Sequence, residues 1–375
     1  MSFQEENRMS QAKKYDVAAY IWPAYTGDEI RSRIFWPEGI GEWQSVKNSQ
    51  SKPDYVWDRK PVWGYVNEAD PYVMEMQINA AVEHGVNVFI YDWYWYDNRP
   101  FLENCLNDGF LKAKNNDKMK FYIMWANHDA AVTWDKRISH LHDYVWSGKA
   151  NREQFETIGK RWINQYFKHP SYYKIDNKPV VSIYDVGNFV EGLGGLENAK
   201  AALAWLDAQA KASGLEGVHI QLVKWGDRNL NITGVDGNVD APQMEVFKEL
   251  GYDSLTHYQY VHFTNIDRDY EELIPDVLKE WDKVREQSNG KYYPHVSIGW
   301  DNNPRFIGFR PGIIRNNPPE QFEKALWEAK AYADKYNDIP LITINSWNEW
   351  TESSYLEPDN VYGYGYLEAV KKVFG

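Results

Sequence analysis

A single cysteine, Cys105, stands among the 375 residues, so no internal disulfide can staple the fold. It lies in the pattern FLENCLNDGF, which reads as an amphipathic helix and assigns the thiol to packing rather than nucleophilic chemistry. Positive charge is short as well. Lys and Arg number 41 against 54 Asp and Glu, and the net charge of −13 repels phosphate backbones and anionic lipid, which argues against nucleic acid as a partner. No apolar run approaches the roughly 18 residues of a membrane helix, so no membrane span is expected. The opening MSFQEENRMSQAKKYD lacks a basic segment followed by an apolar stretch and a small-residue cleavage site, which sets the cytoplasm as the expected location. No glycine-rich phosphate loop follows the first strand, and neither HxH nor HExxH spacing surrounds Asn127-His128-Asp129; no cofactor and no metal are expected.

Aromatic residues are abundant: 18 Trp, 27 Tyr and 15 Phe. Some must form the core, but Trp and Tyr also build rigid surfaces suited to flat ligands. Apolar runs of strand length recur, each followed by a stretch of helical period, the mark of βα units around a parallel sheet. Strands are expected at 16–20, 86–91, 120–125, 179–184, 218–223, 252–255, 295–300 and 341–345. Helices are expected near 71–84, 101–114, 152–167, 197–213, 241–250, 269–288, 319–336 and 365–374. Eight such units predict a single (β/α)8 barrel over residues 15–375, preceded by a flexible tail over 1–14. The connections are unequal. Residues 22–70 separate the first strand from its helix, far beyond the usual two to six residues, and carry Trp22, Tyr25, Trp36, Trp43, Tyr55, Trp57, Trp63 and Tyr65. Because this segment follows a strand, it belongs on the face where barrels carry their active sites. The stretches 224–240 and 301–318 are long too and also follow strands.

The strand ends are dense in polar and aromatic residues: Asp92-Trp93-Tyr94-Trp95-Tyr96-Asp97, Trp125-Ala126-Asn127-His128-Asp129, Tyr184-Asp185, Lys224-Trp225, His257-Tyr258, Trp300-Asp301 and the run Asn345 to Glu352. Rings, amides and carboxylates around one rim suit a neutral polyhydroxylated ligand, so the expected partner is an oligosaccharide or polysaccharide. Candidate contacts are Tyr20, Trp22, Trp63, Asp92, Trp93, Trp95, Trp125, Asn127, His128, Tyr184, Trp225, His257, Tyr258, Trp300, Asp301, Arg305, Asn348 and Trp350. Trp93 and Trp95 divide evenly between barrel packing and sugar stacking, with Tyr94 taking the opposite role by alternation. Arg305 and Arg310 divide between gripping an anionic substituent and pairing with carboxylates. Glu349 and Glu352, three apart beyond the last strand, can supply and accept protons if their environments separate their pKa values. The structural alternative has Glu349 pairing with an arginine and Glu352 capping backbone.

The run NSWNEWTESSYLEPD (345–359) resembles the NEWxEG-type motif of glycoside hydrolase family 99. VWGYVNEADPYVMEMQI (62–78), FIYDWYWYDNRPFLE (89–103), GFLKAKNNDKMKFYIMWANHD (109–129) and GWDNNPR (299–305) are similar to the WbsX-like proteins related to that family. Where the family pattern has His-Glu-Gly, this chain has Thr351-Glu352-Ser353. The resemblance implies a retaining hydrolase of α-linked manno-configured glycans, mannan or D-rhamnan in type. Glu349 would be the base on the sugar 2-hydroxyl, Glu352 the general acid/base, and a 1,2-anhydro sugar the intermediate. Ordinary double displacement through a carboxylate nucleophile is the mechanistic alternative. Two other classes stand beside it: a glycosyltransferase of polysaccharide assembly and a non-catalytic glycan-binding barrel. The first would hold a metal diphosphate at a strand end, whereas Asp267-Arg268-Asp269 falls at an expected helix start. The second would have no need of both Glu349 and Glu352.

Overall fold

The computed structural model describes residues 14–141, 143–234 and 237–375, so almost all of the expected 1–14 tail lies outside the described residues. Eight strands form the central sheet: β1 Asp16–Ile21, β2 Val88–Tyr96, β3 Lys120–Trp125, β4 Lys178–Ile183, β5 His219–Val223, β6 Ser254–Thr256, β7 His295–Ser297 and β8 Leu341–Asn345. All pair in parallel in the order β6-β5-β4-β3-β2-β1-β8-β7. Chain neighbours lie side by side, and β1 meets β8 from Asp16↔Leu341 to Ala19↔Ile344. The ring closes where Leu255 N donates to Lys291 O (2.8 Å) and Tyr293 N donates to Leu255 O (2.9 Å). This is a (β/α)8 barrel. Its strands are buried almost throughout because helices cover the outer face, which is why they read as apolar runs rather than as alternating ones.

Helices follow most strands, at Pro71–Glu83, Arg152–Trp162, Leu196–Ala212, Gln243–Leu250, Tyr270–Gln287, Pro319–Tyr336 and Gly365–Phe374. Their starts have local causes. Asp70 accepts from Tyr72 N ahead of Pro71, and Asn151 and Gln154 form a reciprocal capping box. No helix among the described residues is long and apolar enough to cross a membrane.

The helix expected over 101–114 forms only in part, as a short irregular helical stretch over Cys105–Gly109 and Phe110–Lys112 that starts after a hairpin. β2 runs on to Tyr96, turns through Asp97 and Asn98, both at positive φ (54° and 59°), and returns as Arg99–Phe101 paired to Tyr94–Tyr96. Asp and Asn tolerate that left-handed geometry, and a two-residue loop with φ > 0 at both positions suits a tight hairpin. The chain that remains before β3 carries the helical stretch. Cys105 is fully buried, in keeping with a packing role.

The 22–70 segment folds over the C-terminal ends of the strands and is stitched to the chain beyond β8. Trp350 N donates to Tyr25 Oη (3.1 Å), Val62 N to Pro358 O (2.8 Å) and Asn360 N to Lys60 O (3.0 Å). Trp22, Tyr25, Trp36 and Trp43 are buried within it, so much of its aromatic content is core. Gly41 is where this segment turns against itself. Its φ is +61°, and a Cβ there would lie 1.9 Å from Ala24 O and 2.5 Å from Thr26 O. Gly41→Ala is therefore expected to destabilise the fold by more than about 1 kcal/mol, since strain and backbone collision act together; denaturant unfolding reads this, and an unchanged midpoint would refute the close approach.

Candidate active site

Beyond β8 the chain makes a compact reversal. Asn348–Glu349 pairs with Ser354–Tyr355, a turn spans Trp350–Glu352, and Ser353 takes a left-handed φ of 53°. Ser346 Oγ secures the bend by accepting from Glu349 N (2.8 Å) and donating to Ser354 O (2.6 Å). The turn aims Glu349 and Glu352 at one guanidinium. Arg305 Nη2 lies 3.0 Å from Glu349 Oε1, and Nη1 lies 2.7 Å from Glu352 Oε1. A third carboxylate completes the set: Glu42 receives Arg305 Nε at 2.9 Å and Nη2 at 3.3 Å. Glu42 also accepts the indole N–H of Trp22.

Three buried carboxyl groups share one cation, which leaves an excess of negative charge around Glu349 and Glu352. Burial pushes Glu349 well above the usual carboxylate range, and the charge of Glu352 adds to it. Burial raises Glu352 too, against the opposing pull of Arg305. Arg305 stays charged, because the three carboxylates more than offset its own burial. Glu352 Oε2 is buried and has no hydrogen-bond partner among the described residues.

These groups open onto a cavity of about 300 Å³. It brings together ten of the residues singled out from sequence: Trp22, Asp92, His128, Tyr184, Trp225, Tyr258, Trp300, Arg305, Glu349 and Glu352. Asp92 Oδ2 accepts from Tyr258 Oη (2.9 Å), Oδ1 is unpartnered, and burial lifts its pKa well above the ordinary value. Burial lowers the pKa of His128 and takes that of His262 to about 3, so both imidazoles are neutral at pH 7. Trp225 is stacked by His262 at 4.0 Å and carries the Arg228 guanidinium 4.3 Å from its ring, and it meets the cavity as a wall already engaged by protein groups.

Ten other candidates lie elsewhere. Trp93 and Trp95 stack on each other and pack outward, Trp93 donating to Glu103 (2.7 Å), while Asp92 and Tyr94 on the opposite parity face the cavity. Trp125 packs outward on Phe155, Trp162 and Phe189. Tyr20 is buried below the cavity, its hydroxyl donating to His257 O (3.1 Å). His257 faces Tyr292 (2.7 Å) and Glu280 (3.8 Å). Asn127 ties β3 to the start of the next segment through both backbone groups of Asp185. Asp301 accepts from Tyr55 Oη (2.6 Å) and Asn303. Trp63 packs on Trp347 and Tyr364. Asn348 clasps the backbone of Trp22, and Trp350 stacks on Tyr355. A position at a strand end therefore does not settle which face a side chain takes.

Arg305 pairs with carboxylates, one of its two expected roles, and Arg310 lies outside the cavity over Phe306. Asp267 and Asp269 sit at the start of the Tyr270–Gln287 helix, both facing Arg315. Among the described residues no group of three His, Cys, Asp or Glu is arranged to hold a metal ion. Sequence reasoning missed Glu42, Trp134 and His262. Each comes from a loop, and only the length of the 22–70 insertion hinted at the first.

Comparison with known proteins follows the same lines. The chain is 26% identical over 350 residues to the uncharacterised protein WxcX of two Xanthomonas campestris pv. campestris strains, ATCC 33913 and B100, a match covering 90% of this chain and 46% of WxcX. It thus spans about half the length of these curated relatives. Its fold is that of a glycoside hydrolase-like protein (TM-score 0.64, 14% identity, 97% and 94% of the two chains covered). The endo-α-mannosidase of family 99 from Bacteroides thetaiotaomicron shares it too (TM-score 0.60, 14% identity, 96% of each chain). The family described as glycosyltransferase WbsX matches residues 18–370, and on that near-complete match the chain belongs to the WbsX family.

Proposed function

We propose that this chain is a retaining glycoside hydrolase acting on α-linked manno-configured glycans of the mannan or D-rhamnan type. The observation that carries the reading is the unpartnered Glu352 Oε2 beside Glu349 and Arg305 in an aromatic-lined cavity. A buried carboxyl with one free oxygen suits a general acid, and Glu349, itself held well above its usual range, serves as base in its ionised fraction. In the proposed reaction Glu349 accepts the proton of the sugar 2-hydroxyl while that oxygen attacks C1 from the face opposite the leaving group. Glu352 gives its proton to the departing oxygen. Water, deprotonated by Glu352, then opens the 1,2-anhydro ring at C1 as Glu349 returns the proton to O2, and the configuration is retained. Arg305 holds both carboxylates in register, and Trp300, with no aromatic neighbour among the described residues, offers a ring for a sugar face.

The test is incubation with α-linked mannans and D-rhamnans, with products resolved by chain length; shortened glycans are expected. Sugar transfer from a nucleotide donor, with no cleavage of any glycan, would favour the transferase reading that the family description carries. The pH profile follows from the two carboxyls. Activity rises as Glu349 ionises and falls as Glu352 loses its proton, and burial raises both pKa values. The bell of kcat/KM should therefore centre above pH 4.5, the ordinary Glu value; a profile already falling below that pH would contradict the assignment.

A further inference from the structure

Directly behind Glu349 lies a second pair of acids that the proposed reaction does not use. Glu68 precedes the Pro71–Glu83 helix and is fully buried; Glu357 follows the catalytic turn and is 2% exposed. Their carboxyl groups are hydrogen-bonded to each other, and Gln77 Nε2 donates to both, at 3.1 Å to Glu68 and 2.7 Å to Glu357. The remaining donors are Asn348 Nδ2 to Glu68 (2.9 and 3.1 Å), Trp350 Nε1 to Glu357 (2.6 Å) and the Cys105 thiol to Glu68 (3.8 Å). None of these partners carries a positive charge. Two buried carboxylates without a cation cannot both stay ionised, so the pair holds one proton between them.

The donors fix where that proton sits. Glu68 accepts from three residues, Gln77, Asn348 and Cys105, and Glu357 from two, Gln77 and Trp350, so Glu68 has the surroundings of a carboxylate and Glu357 supplies the remaining hydrogen bond. Burial lifts Glu68 to about 7, and burial together with the charge of Glu68 holds Glu357 well above its usual range. The residues anchored by this pair flank Glu349 on both sides. Trp347 donates to Gln77 (3.2 Å), Asn348 to Glu68 and Trp350 to Glu357. Asn348 in turn accepts from Trp22 N (2.8 Å) and donates to Trp22 O (2.9 Å), and the Trp22 indole meets Glu42, the partner of Arg305. One chain of hydrogen bonds thus runs from Glu68 to the guanidinium that holds Glu349 and Glu352.

We infer that Glu68 and Glu357 work as a proton-sharing unit that positions Glu349, with Glu68 as the charged acceptor and Glu357 as the protonated donor. The inference rests on the role proposed above for Glu349. Both acids are positioning residues and touch no substrate. The unit predicts an asymmetry between two isosteric changes. In Glu357→Gln an amide N–H replaces the carboxyl O–H towards Glu68 and the oxygen still accepts from Trp350, so the one bond lost is that from Gln77, which keeps Glu68 as its acceptor. In Glu68→Gln the amide nitrogen meets the Asn348 donor in either orientation, because Asn348 donates to both Glu68 oxygens, and the turn must shift.

The experiment compares both variants for turnover of an α-mannoside, for thermal melting and by crystallography. Glu68→Gln should lower kcat by about 10–100-fold with KM within about two-fold, the scale of a small misplacement of reacting groups, while Glu357→Gln stays near the parent. Equal loss in both, or a Glu68→Gln effect confined to the yield of folded protein, overturns the inference. If Glu68→Gln does not fold, Glu68→Asp, which keeps the charge but withdraws it from Asn348 by one methylene, should give the same loss in kcat at near-parent melting; full kcat there overturns it as well. If the parent turns over no α-mannoside, the proposed function fails, and the crystal structures still decide the positioning. Displacement of Asn348 and the Glu349 carboxyl in Glu68→Gln alone supports it, and an unmoved turn overturns it.

Discussion

Glu349→Gln and Glu352→Gln are each expected to fold and bind glycan while losing about 10²–10⁴-fold in kcat/KM, the usual contribution of a general acid or base. The two losses should separate by leaving group. An acidic leaving group needs no proton, so Glu352→Gln should regain much of its bond-cleavage step with an activated aryl glycoside. Glu349→Gln should not, because its task is to activate the 2-oxygen. A 2-O-methyl substrate should be inert to the parent and to both variants. Steady turnover of that substrate with a glycosyl ester trapped on a carboxylate would replace neighbouring-group attack with ordinary double displacement. Unchanged rates in both variants would remove the site altogether.

Arg305→Met is expected to have the largest effect on stability. The side chain is 8% exposed and bonds Glu42, Glu349 and Glu352. Removing one member of a buried ionic set leaves uncompensated charge, at a cost of about 3–5 kcal/mol. The pH dependence gives the sign. Without the cation Glu349 and Glu352 protonate more readily in the folded state than in the unfolded chain. The variant should therefore be least destabilised near pH 4.5 and lose stability as pH rises through the raised folded pKa values. Urea unfolding at pH 5 and pH 8 measures both parts; a loss below about 1 kcal/mol, or one independent of pH, would show that the guanidinium does not neutralise the cluster.

The barrel was legible where strand length and burial coincide. The expected 120–125 and 341–345 strands form with those bounds, since each is a short apolar run between turn residues. The second strand was read too short because Asp92-Trp93-Tyr94-Trp95-Tyr96 looks like the start of a loop, whereas both faces are covered and the strand continues through it. The 101–114 helix starts later than its pattern suggests, because the Asp97-Asn98 hairpin takes Arg99–Phe101 into a strand and leaves Cys105–Gly109 and Phe110–Lys112 helical. At the site, strand-end chemistry pointed to Asp92, Tyr184, Tyr258, Trp300, Glu349 and Glu352, which share the cavity. Parity, which separates Asp92 and Tyr94 from Trp93 and Trp95, was visible in the sequence, but which parity faced inward was not. Glu42 and Glu68 were legible only as members of the long 22–70 insertion, because their meaning lies in partners such as Arg305 and Asn348, hundreds of residues away.

That remoteness bears on how the molecule comes into being. The hydrogen bond from Trp22 to Asn348 spans 326 residues, Glu68 to Asn348 spans 280, and Arg305 reaches back 263 to Glu42. Contacts of such separation require long stretches of chain to be closed before they yield anything, and they belong to the slow part of folding. Every partly folded species in which β1 and β8 are still apart, including a nascent chain whose eighth strand has not emerged, lacks the acids, their guanidinium and their anchor at once. Site and completed topology arrive together, so whatever chemistry the three carboxyls perform waits for the last strand.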